Sequence, residues 1–242
     1  MNNTLTSNRT LTLFLFVSAA LGVFGLFAIA VICARPVAAE VSVPLQSSTL
    51  VDRVQDHYQH TQSFSAKFSE ELTGIGRPKL IRSGQVFFKR PGKMRWEFAT
   101  PQKEIVVSDG HKLYNYQPDL NQVIELPIER AFKSAAPLAF LLGIGNMRRD
   151  FTASLPLSTP TDQLLHMILV PKGGGDRIEL GLDPSNYDLM TVEVTDALGN
   201  TTSITFSQVR SNIQLSDALF NFQVPSGVDV VEAPGAPAPT HL

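Results

Sequence analysis

The chain has 242 residues, a formal charge of −2 and one cysteine. So even a balance of charge excludes a polyanion-binding surface built on net charge. The length suits one substantial core, and all-β domains commonly use about 200 residues as a single unit.

The first segment, Leu11–Ile32, is an uncharged apolar run ending near Val37-Ala38-Ala39. It reads as a secretory signal with cleavage after Ala39, so that residues 1–39 are a leader. The run is also long enough to span a bilayer, and retention as an N-terminal anchor is the alternative. Ile32 is not the small residue that a lipidation signal places before its cysteine, so no lipid is expected on Cys33. Removal of the leader takes Arg9, Arg35 and Cys33 but no acid, and leaves a formal charge of −4. The mature chain then has no thiol, which excludes disulfides, thiolate metal sites and cysteine catalysis.

Leu50, Val54 and Tyr58 recur every four residues, which predicts an amphipathic helix over Thr49–His60. From Phe64 the period changes to two, with Phe64, Ala66 and Phe68 on one face, which predicts a strand. Further strands are expected at Ile81–Lys89, Met94–Phe98, Ile105–Ser108, Lys112–Tyr116 and Gln122–Leu126. Arg90-Pro91-Gly92, Thr100-Pro101, Asp109-Gly110 and Gln117-Pro118-Asp119 supply the reversals between them. Residues 128–147 are rich in Ala, Leu and Phe and predict two short helices. Strands resume at Phe151–Leu155, Leu165–Val170, Arg177–Leu182, Met190–Thr195 and Thr201–Val209, with Gly173-Gly174-Gly175 and Leu198-Gly199-Asn200 as turns. A helical turn is expected at Asp217–Phe220, then a last strand at Phe222–Val224. The Pro/Ala-rich tail, residues 233–242, has little to bury and predicts disorder.

About eleven short strands joined by hairpins predict a mainly β fold, an incomplete and strongly curved antiparallel barrel. The N-terminal helix and the short middle helices would cover its concave face. Residues 40–232 form the one domain.

Catalytic signatures are missing: no G-x-S-x-G, H-E-x-x-H or glycine-rich nucleotide motif occurs. His57 and His60 stand three apart on the predicted helix, yet no ligand is spaced to complete a metal site, and two solvated histidines are the plainer reading. No enzyme activity, cofactor or metal is expected. Phe132, Pro137, Leu138, Phe140, Leu141 and Leu142 form an apolar patch among hinge residues; it reads as a movable lid or equally as a buried helix pair. Met94, Trp96 and Phe98 alternate onto one face and suit either an acyl-chain site or an ordinary core.

The runs Gly84-Gln85-Val86-Phe87-Phe88-Lys89-Arg90-Pro91, Met94-Arg95-Trp96-Glu97, Val107-Ser108-Asp109-Gly110 and Tyr114-Asn115-Tyr116-Gln117-Pro118 resemble the outer-membrane lipoprotein carrier family. So do Phe64–Phe68, Pro137–Leu142 and Phe220-Asn221-Phe222, and the resemblance spans most of residues 45–231. It implies a periplasmic monomer that takes acylated lipoproteins from an inner-membrane exporter and passes them to an outer-membrane acceptor. It also implies Arg90 as the latch that holds the lid, and a cavity for acyl chains lined by Phe64, Phe68, Phe87, Met94, Trp96 and Phe98. Relatives of this fold also act as envelope sensors, which is the main rival; a lipid hydrolase is the remoter one.

Overall fold

The computed structural model describes residues 47–128, 145–158 and 160–232, all within one compact unit of the chain. The expected leader, residues 1–39 with Cys33, the lid residues Phe132, Pro137, Leu138, Phe140, Leu141 and Leu142, and the tail after Glu232 lie outside the described residues.

Helix α1 (Ser47–His60) begins two residues before the predicted start and buries Leu50, Val51, Val54 and Tyr58 on the stripe that the four-residue spacing defines. A single twelve-stranded sheet follows: β1 (Ser63–Gly74), β2 (Arg77–Lys89), β3 (Lys93–Thr100), β4 (Glu104–Asp109), β5 (Lys112–Gln117), β6 (Gln122–Pro127), β7 (Phe151–Ser154), β8 (Leu165–Pro171), β9 (Arg177–Leu182), β10 (Leu189–Thr195), β11 (Thr201–Ser211) and β12 (Asp229–Glu232). Their order is β12-β6-β5-β4-β3-β2-β1-β11-β10-β9-β8-β7, so the sheet is curved but open, with β12 and β7 at its edges.

Sequence neighbours pair antiparallel within β1–β6 and within β7–β11, and the β1–β11 pairing joins these two halves. Gly110, Gly174 and Gly199 all take positive φ at predicted reversals, where a side chain would be strained. Two expectations fail at the C-terminus. Phe222–Val224 is not a strand, and the last strand, β12, runs parallel to β6 rather than antiparallel. The cause is a tertiary contact: Phe222 packs its ring against Tyr114 and Tyr116, 5.4 and 5.9 Å between centroids, which carries the chain across the sheet before it pairs.

The inner face is covered, and the outer face only locally, since outward Lys67, Ser69, Gln85 and Thr205 on the central strands are exposed. On the inner face, α1 shares one core with Phe64, Phe68, Phe88, Met94, Trp96, Met167, Leu180 and Phe206. The outer face of β3 and β4 carries the 3-10 turn Asp217–Phe220, whose Phe220 is buried outside that core, with buried Val107 and Val123 in the outer register. Lys89 and Lys93 both donate to Asp217, at 2.8 and 2.9 Å, and Arg95 donates to the Leu219 carbonyl.

Helix α1 is fixed at its C-terminal half by polar contacts. The Leu189 amide donates to the Tyr58 hydroxyl at 2.8 Å in a buried setting, and Arg53 donates to the Tyr187 hydroxyl. Asp188, 8% exposed, is the hub: its carboxylate meets His57 Nε2 at 3.2 Å, Ser211 Oγ at 2.8 Å and Asn186 Nδ2 at 2.9 Å. Burial alone would raise this carboxyl's pKa, but the bonds from His57 and Ser211, the charge of His57 and the Asn186 bond outweigh it and hold the group below the usual carboxylate value. A depressed folded-state pKa stabilises the protein above the unfolded value, and that contribution is lost as pH falls through the folded one. Asp188→Asn should accordingly unfold at lower urea than the parent at pH 7, and the gap should narrow as pH drops below about 4. Urea midpoints across pH check this, and a gap that is constant in pH would refute the ionic role of Asp188.

Candidate functional site

The inner face of β1, β2 and β3 is a set of cross-strand rows. Phe64 pairs with Phe88 and Phe88 with Met94; Ala66 with Val86 and Val86 with Trp96; Phe68 with Gly84 and Gly84 with Phe98. Side chains directly opposite on one face stand close enough to pack, and here they are aromatic or large. The Phe68 ring meets Trp96 edge-on at 4.7 Å and Phe98 at 5.1 Å between centroids, and Trp96 reaches Phe88 at 6.0 Å and Phe206 at 6.2 Å. Edge-to-face pairs at such spacings stabilise by about 0.5–1.5 kcal/mol beyond the area they bury.

Gly84 is what admits the middle of this cluster. A Cβ there would collide with the Glu97 carbonyl and stand 3.1 Å from the Phe68 ring. The glycine leaves β2 and β3 close together and gives the ring its place.

Of the residues expected to line a cavity, Phe64, Phe68, Met94, Trp96 and Phe98 come together on this face, all buried. Phe87 does not. It pairs with Ser65 and Arg95 on the outer face, half-buried, because strand alternation gives the inward position to Phe88. Phe88 and Phe206 belong to the cluster although sequence reasoning does not select them. Val86 and Trp96 fix the parity of β2 and β3, so the alternation holds the signal for Phe88; Phe206 depends on the long-range β1–β11 register, where it faces Phe68.

Arg90 sits at the end of β2, its amide donating to the Gln62 carbonyl at 2.9 Å, before a cis Arg90-Pro91 bond. Desolvation lowers its guanidinium pKa from the ordinary arginine value. The turn that carries it is locked from the neighbouring hairpin. Ser108, fully buried, donates to the Gly92 carbonyl at 3.0 Å and accepts from the Gly110 amide at 3.1 Å. Asp109 accepts from the His111 and Lys112 amides, and a Cβ on Gly92 would stand 3.1 Å from the Gly110 Cα. The Lys-Arg-Pro-Gly and Ser-Asp-Gly motifs are thus two halves of one rigid corner.

The two histidines of α1 part company: His57 turns to Asp188, and the His60 ring bonds the Asp56 carbonyl on its own helix. Among the described residues no group of three or more His, Cys, Asp or Glu side chains is placed to hold a metal ion. Ser211 and His57 meet the same carboxylate oxygen of Asp188, so the hydroxyl's proton is directed to Asp188 and away from the imidazole. That is a structural junction, not the base-to-nucleophile contact that hydrolysis requires.

The family described as "Outer membrane lipoprotein carrier protein LolA" matches residues 59–223. The outer-membrane lipoprotein carrier protein of Bordetella avium (strain 197N) is 36% identical over 192 residues, which cover 76% of this chain and 89% of that protein. Its counterpart in Cupriavidus pinatubonensis (strain JMP 134 / LMG 1197) is 32% identical over 206 residues, 83% of this chain and 95% of the relative. Among solved structures, an uncharacterized conserved protein from Thermus thermophilus superposes with a TM-score of 0.50 at 15% identity, covering 78% of this chain and all of that one. That likeness concerns the fold alone.

Face assignment has a direct consequence for stability. Phe88→Ala should cost about 3–5 kcal/mol, as for other buried aromatic truncations, while Phe87→Ala on the half-buried outer face should cost only about 1 kcal/mol. Urea denaturation of the two variants decides it, and a larger loss at Phe87 would overturn the register described here.

Proposed function

Because the chain belongs to the outer-membrane lipoprotein carrier family, we propose that it is a periplasmic carrier that shields the acyl chains of lipoproteins and is not an enzyme. Residues 1–39 are its export signal, residues 40–232 its working domain, and residues 233–242 a tail outside that domain. Among the described residues, no helix is long and apolar enough to cross a membrane.

The observation that carries the reading is the buried inner cluster of Phe64, Phe68, Phe88, Met94, Trp96 and Phe98 on an open, curved sheet. An apolar concave surface rich in aromatic rings and methionine is adaptable, and hydrocarbon burial there contributes about 0.8 kcal/mol per methylene. Part of each chain buried is enough to hold cargo, and part left out keeps release feasible. Phe132, Pro137, Leu138, Phe140, Leu141 and Leu142 act as the lid. Arg90, held in its corner by the Ser108 contacts, is the latch, since its guanidinium carries five donors in a fixed fork that lysine lacks. A lid preference of a few kcal/mol lets cargo open it and a tighter acceptor empty it without fuel. Cargo comes from an inner-membrane exporter and leaves to an outer-membrane acceptor, with the carrier acting as a monomer.

The test uses protein recovered from cells that express the full chain, mixed with membranes bearing an acylated lipoprotein, exporter and ATP. A soluble one-to-one complex is expected. Arg90→Leu should still load cargo but pass it on at an altered rate, and Arg90→Lys should not restore the parent behaviour. No soluble complex from a working exporter would overturn the carrier reading and favour a lipoprotein-sensing role for the same fold.

A further inference from the structure

Beyond the aromatic rows, the inner face changes character within two residues. Glu70 and Arg82 are cross-strand partners in the row that follows Phe68 and Gly84, Glu104 pairs with Phe98, and Asn115 pairs with Val106 opposite Trp96. Arg82 Nε donates to Glu70 Oε2 at 2.6 Å, and its second nitrogen donates to Glu104 Oε2 at 3.1 Å. The guanidinium carbon lies 4.2 Å from the Phe98 ring centroid. Asn115 Nδ2 donates to the other oxygen, Glu104 Oε1, at 2.9 Å.

Two features of this set are unexplained by packing. Two carboxylates share one guanidinium, which leaves the set one negative charge in excess, and Glu70 is only 7% exposed. Uncompensated charge on a buried surface is costly, and an apolar replacement would serve a mere core better. In addition, Asn115 Oδ1 is buried and has no hydrogen-bond partner among the described residues. Its orientation is fixed, because the amide nitrogen is committed to Glu104. A buried acceptor beside surplus negative charge calls for a donor that is positive. Glu104 and Arg82 retain 20% and 27% side-chain exposure, so a ligand can reach them.

We propose that Glu104 and Asn115, backed by Glu70 and Arg82, form a subsite for a primary ammonium head group whose alkyl chain lies on the aromatic rows. Phe64 to Phe68 spans about 13 Å along β1 at ~3.3 Å per residue, so tail and head subsites are continuous on one face. The subsite deepens the acyl-chain reading and rests on it: the rows bind the chain, and this set selects its head.

Titration calorimetry with three probes below their micelle concentrations separates the contributions: decylammonium, decyltrimethylammonium and decyl sulfate. Decylammonium should bind at least about tenfold more tightly than decyl sulfate, and more tightly than the trimethyl probe, which has the charge but no N–H to donate. Glu104→Gln, which neutralises the surplus charge, should abolish most of the preference over sulfate. Asn115→Leu should abolish the preference over the trimethyl probe while leaving the preference over sulfate, and it keeps the test alive if the Gln variant folds poorly. Equal affinities for all three probes in the parent, or preferences untouched by both folded variants, would overturn the subsite and leave the acyl-chain reading standing. Failure of every decyl probe to bind would overturn that reading itself, and the subsite with it.

Discussion

A slip of one residue between β1 and β2 would exchange the two faces of this sheet, because side chains along a strand alternate sides. The native register sets Phe64 opposite Phe88, Ala66 opposite Val86 and Phe68 opposite Gly84. Gly84 pins that register physically, since a side chain at this position would meet the Glu97 carbonyl and crowd the Phe68 ring. Once this pair is set, β3 and β11 add Trp96, Phe98 and Phe206 to the same cluster, and α1 has an apolar surface on which to bury its stripe.

The sheet stays open, and its exposed backbone edges are handled by position. Edge strands β7 and β12 are four residues each, short for a template on which another chain could pair. At the β12 end the chain first crosses the outer face, tied down by Phe220, by Phe222 against two tyrosines, and by Lys89 and Lys93 on Asp217. Those two lysines hold the Asp217 carboxyl down at a pKa of about 2, so this tie remains ionic over the whole physiological range. The outer face of β3 and β4 thereby becomes a second, smaller core, separate from the inner one that α1 shares.

Rigidity is concentrated where the candidate latch stands. Ser108 bonds both the Gly92 carbonyl and the Gly110 amide, which couples the hairpin carrying Arg90 to the β4–β5 turn. A side chain asked to hold a movable element needs such a fixed base, because its own rotamer freedom is otherwise lost on every contact. At the opposite end of the same face, Arg82 between Glu70 and Glu104 is a second fixed polar group, and the aromatic rows lie between the two.

Local patterning in the sequence determined helix α1, the hairpins, the places of nearly all the strands, and the inward parity of Phe64, Phe68, Met94, Trp96 and Phe98. Those features depend on neighbours two to four residues away, and periodicity reports them. Composition does not say which of the adjacent Phe87 and Phe88 faces in, but the parity of Val86 does, and it assigns Phe88. Tertiary structure decided what long-range pairing controls: Phe206 opposite Phe68, the parallel β12, the strap of Phe220 and Phe222 over the outer face, the Asp188 hub beneath α1 and the Glu70–Arg82–Glu104–Asn115 set. Each joins residues through strand register or across the curved sheet, and contacts of that kind leave no period in the sequence from which they could be read.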